Sequence, residues 1–187
     1  MHIECRLPMC FFILSIQAMF PLIINLMYYV CLGWVTAARN QKNCGSCSAF
    51  AQMAMAETSL LKAGAKKDSM DLSEDWLINC REDGSGVCKG AHIEVYAKYM
   101  IKTEKFIHEN TAPYVTQYGS DTGPCLTKPY WSPGYKFEKA VVEWGWNNKL
   151  DDEQIMMQIM EHGSSVIGVY ASQAVFNYKI GIIDTCE

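Results

Sequence analysis

The sequence predicts an α+β protein of two lobes, the first helical and the second strand-rich. Three observations carry that expectation. Apolar residues recur at helical spacing through the stretch that starts at Cys47, residue-by-residue alternation takes over near Tyr135, and a region broken by Pro113, Gly119, Gly123, Pro124, Pro129, Pro133 and Gly134 lies between. With 187 residues, 50% hydrophobic and 19% charged, the chain has the material for a real core and not the composition of a disordered one.

The first 38 residues differ from the rest. From Leu7 to Ala38 there is no charged side chain, and about 20 apolar residues are enough to cross a bilayer. Residues 1–38 are therefore expected to be a hydrophobic leader, either a signal peptide cut near Ala37 and Ala38 or a membrane anchor. Residues 39–130 are expected to form the helical lobe and residues 131–187 an incomplete strand-rich lobe.

Within the helical lobe, Cys47, Phe50, Ala51, Ala54, Thr58 and Leu61 fall on one helical face. Ser46 stands at the N-cap position, Lys62 in the last turn and Gly64 at the stop. The stretch "LSEDWL" starts a second helix: Ser73 caps it, Glu74 and Asp75 suit the positive end of its dipole, and Leu72 can staple onto Leu77. "AHIEVYAKYMIK" predicts a third, with Ile93, Tyr96, Ala97, Met100 and Ile101 inward. Farther on, "YKFEKAVVEWGW" and "SSVIGVYA" read as strands, "FNYKIGII" as a further candidate, and "DDEQIMMQIMEHG" as a helix with an acidic start and a Gly stop. Met156, Met157 and Met160 are expected in the core, with Trp131, Trp144 and Trp146 in the core or between lobes. His162 is expected to cap the end of its own helix.

The nine cysteines favour an oxidising compartment, and an odd number leaves at least one outside intrachain bridges. The net charge of −4, without a long basic run, gives no footing for nucleic acid. Cys44 and Cys47 sit three apart in "NQKNCGSCSAF". Such a pair fits a redox couple, a metal clip, or a structural cysteine beside a nucleophile. A redox couple normally follows a strand, and a structural zinc site wants a second close pair, whereas Cys80 and Cys88 are well separated. A nucleophile profits from the start of a helix, whose positive potential favours a thiolate. Cys47 has that position. An acyl-transfer site further needs donors for an oxyanion, and Gln41 lies six residues upstream.

"NQKNCGSCSAF", "LSEDWLINC", "CKGA" and "APY" resemble, in order and spacing, the active-site region of papain-like cysteine peptidases, the cathepsin superfamily, over roughly residues 35–187. The resemblance implies a papain-like two-lobe fold, with the helical left lobe complete and the strand-rich right lobe partial. It implies Cys47 as nucleophile, Gln41 as the oxyanion-hole amide, and a substrate cleft edged by Gly45, Ser46, Gly90 and Ala91. Ala91 stands where the family commonly has a second Gly and is expected to crowd the groove slightly. The resemblance pairs Cys44 with Cys88 and Cys80 with Cys125, and calls for neither cofactor nor metal. Partners would be peptide or protein substrates, and the localisation secretory, extracellular or lysosomal, with anchoring through the leader as the alternative.

Two departures stand out. Ser48 replaces the aromatic residue that usually follows the nucleophile, and the family's His and Asn, about 130–150 residues beyond it, have no counterpart up to Glu187. A cysteine-type endopeptidase by family, inactive as the literal chain, is the expectation. The runner-up is a non-catalytic papain-like module that binds peptide or protein.

Overall fold

Helix α1, Cys47–Lys62, is the element around which the rest is arranged. The computed structural model describes residues 9–12, 33–82, 87–116, 123–127, 151–170, 173 and 177. In chain order these contain β1 (Met9–Phe12), α1, a single 3-10 turn (Lys67–Ser69), α2 (Glu74–Cys80), α3 (Ile93–Thr103), α4 (Asp152–His162) and β2 (Ile167–Tyr170). Helix α1 packs against α2, α3 and β1. The two strands pair antiparallel, from Met9 opposite Tyr170 to Phe12 opposite Ile167. The expected strand "YKFEKAVVEWGW", Trp131, Trp144, Trp146 and nearly all of "FNYKIGII" lie outside the described residues.

Burial on α1 is wider than one stripe. Cys47, Ala51, Thr58 and Leu61 are buried as the spacing predicts, but Phe50 and Ala54 are only half-buried. Ser48, Ala49, Gln52, Met53, Ala56, Glu57 and Leu60 are buried as well. The helix is surrounded, so its apolar stripe understates its burial. Its last turn is closed by Ala63 and the 63–65 amides, which donate to Ser59, Leu60 and Leu61 carbonyls. Gly64, at φ +99, follows that cap.

Helix α2 starts as its sequence predicts: the Ser73 hydroxyl accepts from the Trp76 amide at 3.0 Å. The hydroxyl also donates to the Ala112 carbonyl at 2.6 Å, which ties the helix start to the chain beyond α3. Trp76 is fully buried, its ring 5.5 Å from that of Tyr99 and its indole N–H donating to the Leu126 carbonyl at 2.8 Å. Emptying such a site costs about 3–5 kcal/mol. Leu72, Leu77, Ile78, Tyr96, Met100 and Ile107 complete the same core.

Two expectations about side-chain direction are corrected. On α3, Ile101 is 36% exposed, while Tyr99 takes the inward place beside Tyr96, Ala97 and Met100. The helix ends at Glu104, whose N–H donates to the Met100 carbonyl and whose left-handed φ of +54 turns the chain out of the helix. On α4, Met157 and Met160 are 49% and 52% exposed among the described residues, so they are not core residues there; Met156 is half-buried.

Helix α4 has a complete capping box. Asp151 Oδ1 accepts from the Gln154 amide at 2.8 Å, and Gln154 Oε1 accepts from the Asp151 amide at 2.9 Å. Its other end is capped by a neighbour instead of by His162. Lys62 Nζ, reaching from the end of α1, donates to the Met160 and Glu161 carbonyls at 3.1 and 2.8 Å. Trp34 packs against the core, and the Thr36 hydroxyl donates to Glu57, so the end of the apolar leader stretch is docked on the helical lobe. No helix among the described residues is long and apolar enough to cross a membrane.

Candidate active site

The loop before α1 is fixed by a covalent bond and by close backbone contact. Cys44 is bonded to Cys88, and Cys80 to Cys125. Beside the first bridge, the Gly45 amide donates to the Cys88 carbonyl at 3.1 Å, and Gly45 forms an isolated parallel bridge with Lys89. A Cβ on Gly45 would stand 2.4 Å from the Cys88 carbonyl oxygen, so only glycine allows this approach. Gly90 follows with φ +79, and its carbonyl accepts from Arg81 Nη1 at 2.9 Å. Gly45 and Gly90, predicted as cleft residues, are thus brought together. Ala91, next along the chain, is half-buried and packs against the core.

Cys47 is the first residue of α1, buried, and outside both disulfides. Ser46 occupies the N-cap, but its side chain does not cap the helix; the hydroxyl lies 3.1 Å from the Tyr114 hydroxyl. The Tyr114 hydroxyl donates to the Gln41 carbonyl at 2.8 Å. Gln41 is half-buried, and its Nε2 donates to the Cys44 carbonyl at 2.7 Å, three residues before the thiol. The loop turns at Lys42, with φ +53, and its amide is held by Asn40 Oδ1 at 2.8 Å. Gln41 and Cys47 therefore flank one tightly tied turn. An amide NH2 has two donors, so the bond to Cys44 leaves one for another acceptor. Next to the thiol, Ser48 is fully buried and its hydroxyl has no hydrogen-bond partner among the described residues.

Behind the loop lies a group of carboxyl side chains that sequence reasoning gave no such role. Glu57, in the middle of α1, accepts from the Leu72 amide at 2.8 Å and from Thr36; burial pushes its carboxyl up, against those two hydrogen bonds. Glu74 is buried, and desolvation pushes it up to about 8, with Glu109, Glu57 and Asp71 adding to the effect. Burial likewise raises Glu109, which accepts from the Tyr114 amide at 2.7 Å. Asp75 was expected to serve the dipole of α2. Its Oδ1 accepts from the Val115 and Thr116 amides at 3.0 and 2.9 Å, and Oδ2 accepts from Asn79 at 2.8 Å. The one visible signal for this group was a Glu amid the apolar residues of α1; Tyr114 was visible only as the last residue of "APY". No group of metal-binding side chains occurs among the described residues.

The fold and its loop define a disulfide-braced helical lobe with one thiol held at a helix start. The model of the papain family of cysteine proteases matches residues 30–187, and the chain belongs to that family. A cysteine protease of Blomia tropicalis is 32% identical over 149 residues, which is 76% of this chain and 41% of that protein. Cysteine proteinase 1 of Entamoeba histolytica is 37% identical over 92 residues, 48% of this chain and 28% of that protein. The structure of the bromelain protease from Ananas comosus in complex with the E64 inhibitor is 29% identical, with a TM-score of 0.48, covering 57% of this chain and 46% of that one. The chain spans less than half the length of these relatives.

Proposed function

We propose that the chain carries the nucleophile-bearing lobe of a cysteine-type peptidase, with Cys47 as nucleophile and Gln41 as the oxyanion-binding amide. The observation that carries this reading is the tied turn from Gln41 to Cys47 at the start of a buried helix. In the proposed reaction the Cys47 sulfur attacks a peptide carbonyl carbon, and the carbonyl electron pair moves to the oxygen. That oxygen is received by the second Gln41 Nε2 proton and by the Cys47 backbone amide at the start of α1. Collapse expels the amine and leaves a thioester, which water hydrolyses.

An imidazole must take the thiol proton and return it to the departing amine. His162 is badly placed for that role. Lys62 ties the end of α4 to the last turn of α1, and a 16-residue helix separates that turn from Cys47 by about 20 Å. Substrate would lie along Gly45 and Gly90, where missing side chains permit backbone pairing, with the fully buried Ser46 between Gly45 and the thiol. Peptide or protein substrates and a secretory, extracellular or lysosomal setting follow from the family, and the two disulfides fit an oxidising compartment.

A second reading, a papain-like module that binds peptide without cleaving it, draws on Ser48. A buried hydroxyl there leaves a polar group unsatisfied beside the thiol, which a peptidase site has no evident use for. An epoxide-type thiol probe separates the thiol assignment from its alternatives. It should label Cys47 in preference to other thiols, and equal labelling of a Cys47→Ser variant would remove the nucleophile. A fluorogenic dipeptide then distinguishes cleavage from binding alone.

A further inference from the structure

We infer that Tyr114 is a positioning residue for the oxyanion-binding amide, its hydroxyl locking the Gln41 carbonyl to Ser46 at the mouth of α1. The inference rests on the peptidase reading of Cys47 and Gln41. Tyr114 is 73 residues from Gln41 and 68 from Ser46, yet one hydroxyl touches both. The direction of the bonds is fixed by inventory. A carbonyl only accepts, so the single phenolic proton goes to Gln41, and the Ser46 hydroxyl must donate its own proton to Tyr114. Ser46 also lacks the extended backbone of a capping serine, at φ −108 and ψ 13, and its side chain does not cap the helix amides. A run of Ser46 O–H, Tyr114 O–H and Gln41 C=O polarises in one sense, each bond strengthening the next.

The tyrosine is itself held on three sides. Its ring meets Phe50 of α1 edge-on, with centroids 5.0 Å apart and planes at 88°. Its amide is held by Glu109, and the next two amides by Asp75. Burial raises the phenol above 10, so it keeps the proton that Gln41 needs. The loop carrying Gln41 is tied at its far end by the Cys44–Cys88 bridge, while between the two Lys42 sits at positive φ and Lys42 and Asn43 are exposed. Without the hydroxyl, the Gln41 carbonyl loses its anchor to the helix, and the orientation of the amide is left to its contact with Cys44.

A peptide aldehyde tests this without requiring turnover. The Cys47 sulfur adds to the aldehyde carbon, the carbonyl pair moves to oxygen, and the thiol proton ends on that oxygen, so affinity reports on the oxyanion-binding donors. Iodoacetamide reports on the thiol alone, because displacement of iodide builds no oxyanion. In the full chain, Tyr114→Phe keeps the ring against Phe50 and should weaken aldehyde binding about tenfold, less than the loss of an oxyanion donor itself. Its alkylation by iodoacetamide should keep the parent rate. On a Gln41→Ala background, Tyr114→Phe should change nothing further, because coupled groups are not additive.

Ser46→Ala breaks the same chain of bonds from the helix side and should also weaken the aldehyde, which keeps the test decisive if Tyr114→Phe does not fold. Parent-like aldehyde affinity in the folded Tyr114→Phe variant overturns the inference. So does an equal loss on the Gln41→Ala background, or a parallel fall in alkylation. Cys47→Ala binding the aldehyde as tightly as the parent would instead remove the peptidase reading beneath it.

Discussion

Helices α1 and α4 touch end to end through Lys62, yet they are held by opposite means. Helix α4 carries its own instructions: a capping box at one end, Gly163 beyond the other, and a surface with Met157 and Met160 outward. Helix α1 has no side-chain cap and no acidic first turn, and eleven of its sixteen residues are buried. Its stability comes from what surrounds it, as is usual for helices in folded proteins. The difference bears on the site. A helix fixed by its surroundings can spend its first turn on a thiol and give its N-cap hydroxyl to Tyr114.

The largest expected effect is at the covalent brace of α1. Cys88→Ser opens a bridge between residues 44 apart, for which the chain-entropy model gives about 4 kcal/mol. Denaturant unfolding should show a loss of that order. A loss under 1 kcal/mol would mean that packing alone holds the start of α1.

Next comes acidity. Glu74 has its folded value near 8 against an ordinary 4.5, and burial raises Glu57 and Glu109 too. The folded state therefore binds more protons than the unfolded chain between those limits. This contribution to stability is full below about pH 4.5 and falls as pH rises toward 8, by about 1.4 kcal/mol per pH unit for Glu74 alone. Unfolding curves at pH 5 and pH 8 should show it, and Glu74→Gln should flatten the difference; an unchanged slope would show that the carboxyl is not the source.

On α4 the effects should be smaller and should stay there. Asp151→Ala removes the box and should cost about 1 kcal/mol, with iodoacetamide reactivity of Cys47 unaltered. Lys62→Met removes an exposed cap and should cost about 0.5 kcal/mol or less. A change in Cys47 reactivity in either variant would show that the two helices are coupled more tightly than their separate supports imply.

The same contrast decides how much was legible in the sequence. Ser73 and the acidic start and Gly163 stop of α4 were legible because caps act within a few residues, where the sequence states both partners. The choice between Tyr99 and Ile101 was not. Both lie near the edge of one helical face, and Trp76 and Cys125 beside Tyr99 settle the matter from distant parts of the chain. Ser46 looked like a cap because its partner, Tyr114, is 68 residues away. Lys62 looked like the complement of its own helix for the same reason. The thiol, the Gln41 amide and the pairing of the cysteines were read through resemblance to a family; C-x-x-C alone admits three chemistries.

The two bridges interlock along the chain, since Cys80 lies inside the loop closed by Cys44 and Cys88, and Cys125 lies outside it. A ribosome delivers residues in order, so six cysteines, from Cys5 to Cys80, emerge before Cys88 does. Cys44 meets Cys47 and Cys80 before its own mate. Any pair formed among these three is undone by thiolate attack before Cys44 can join Cys88. A catalyst of thiol–disulfide exchange should speed maturation of this chain far more than that of one whose bridges join successive cysteines.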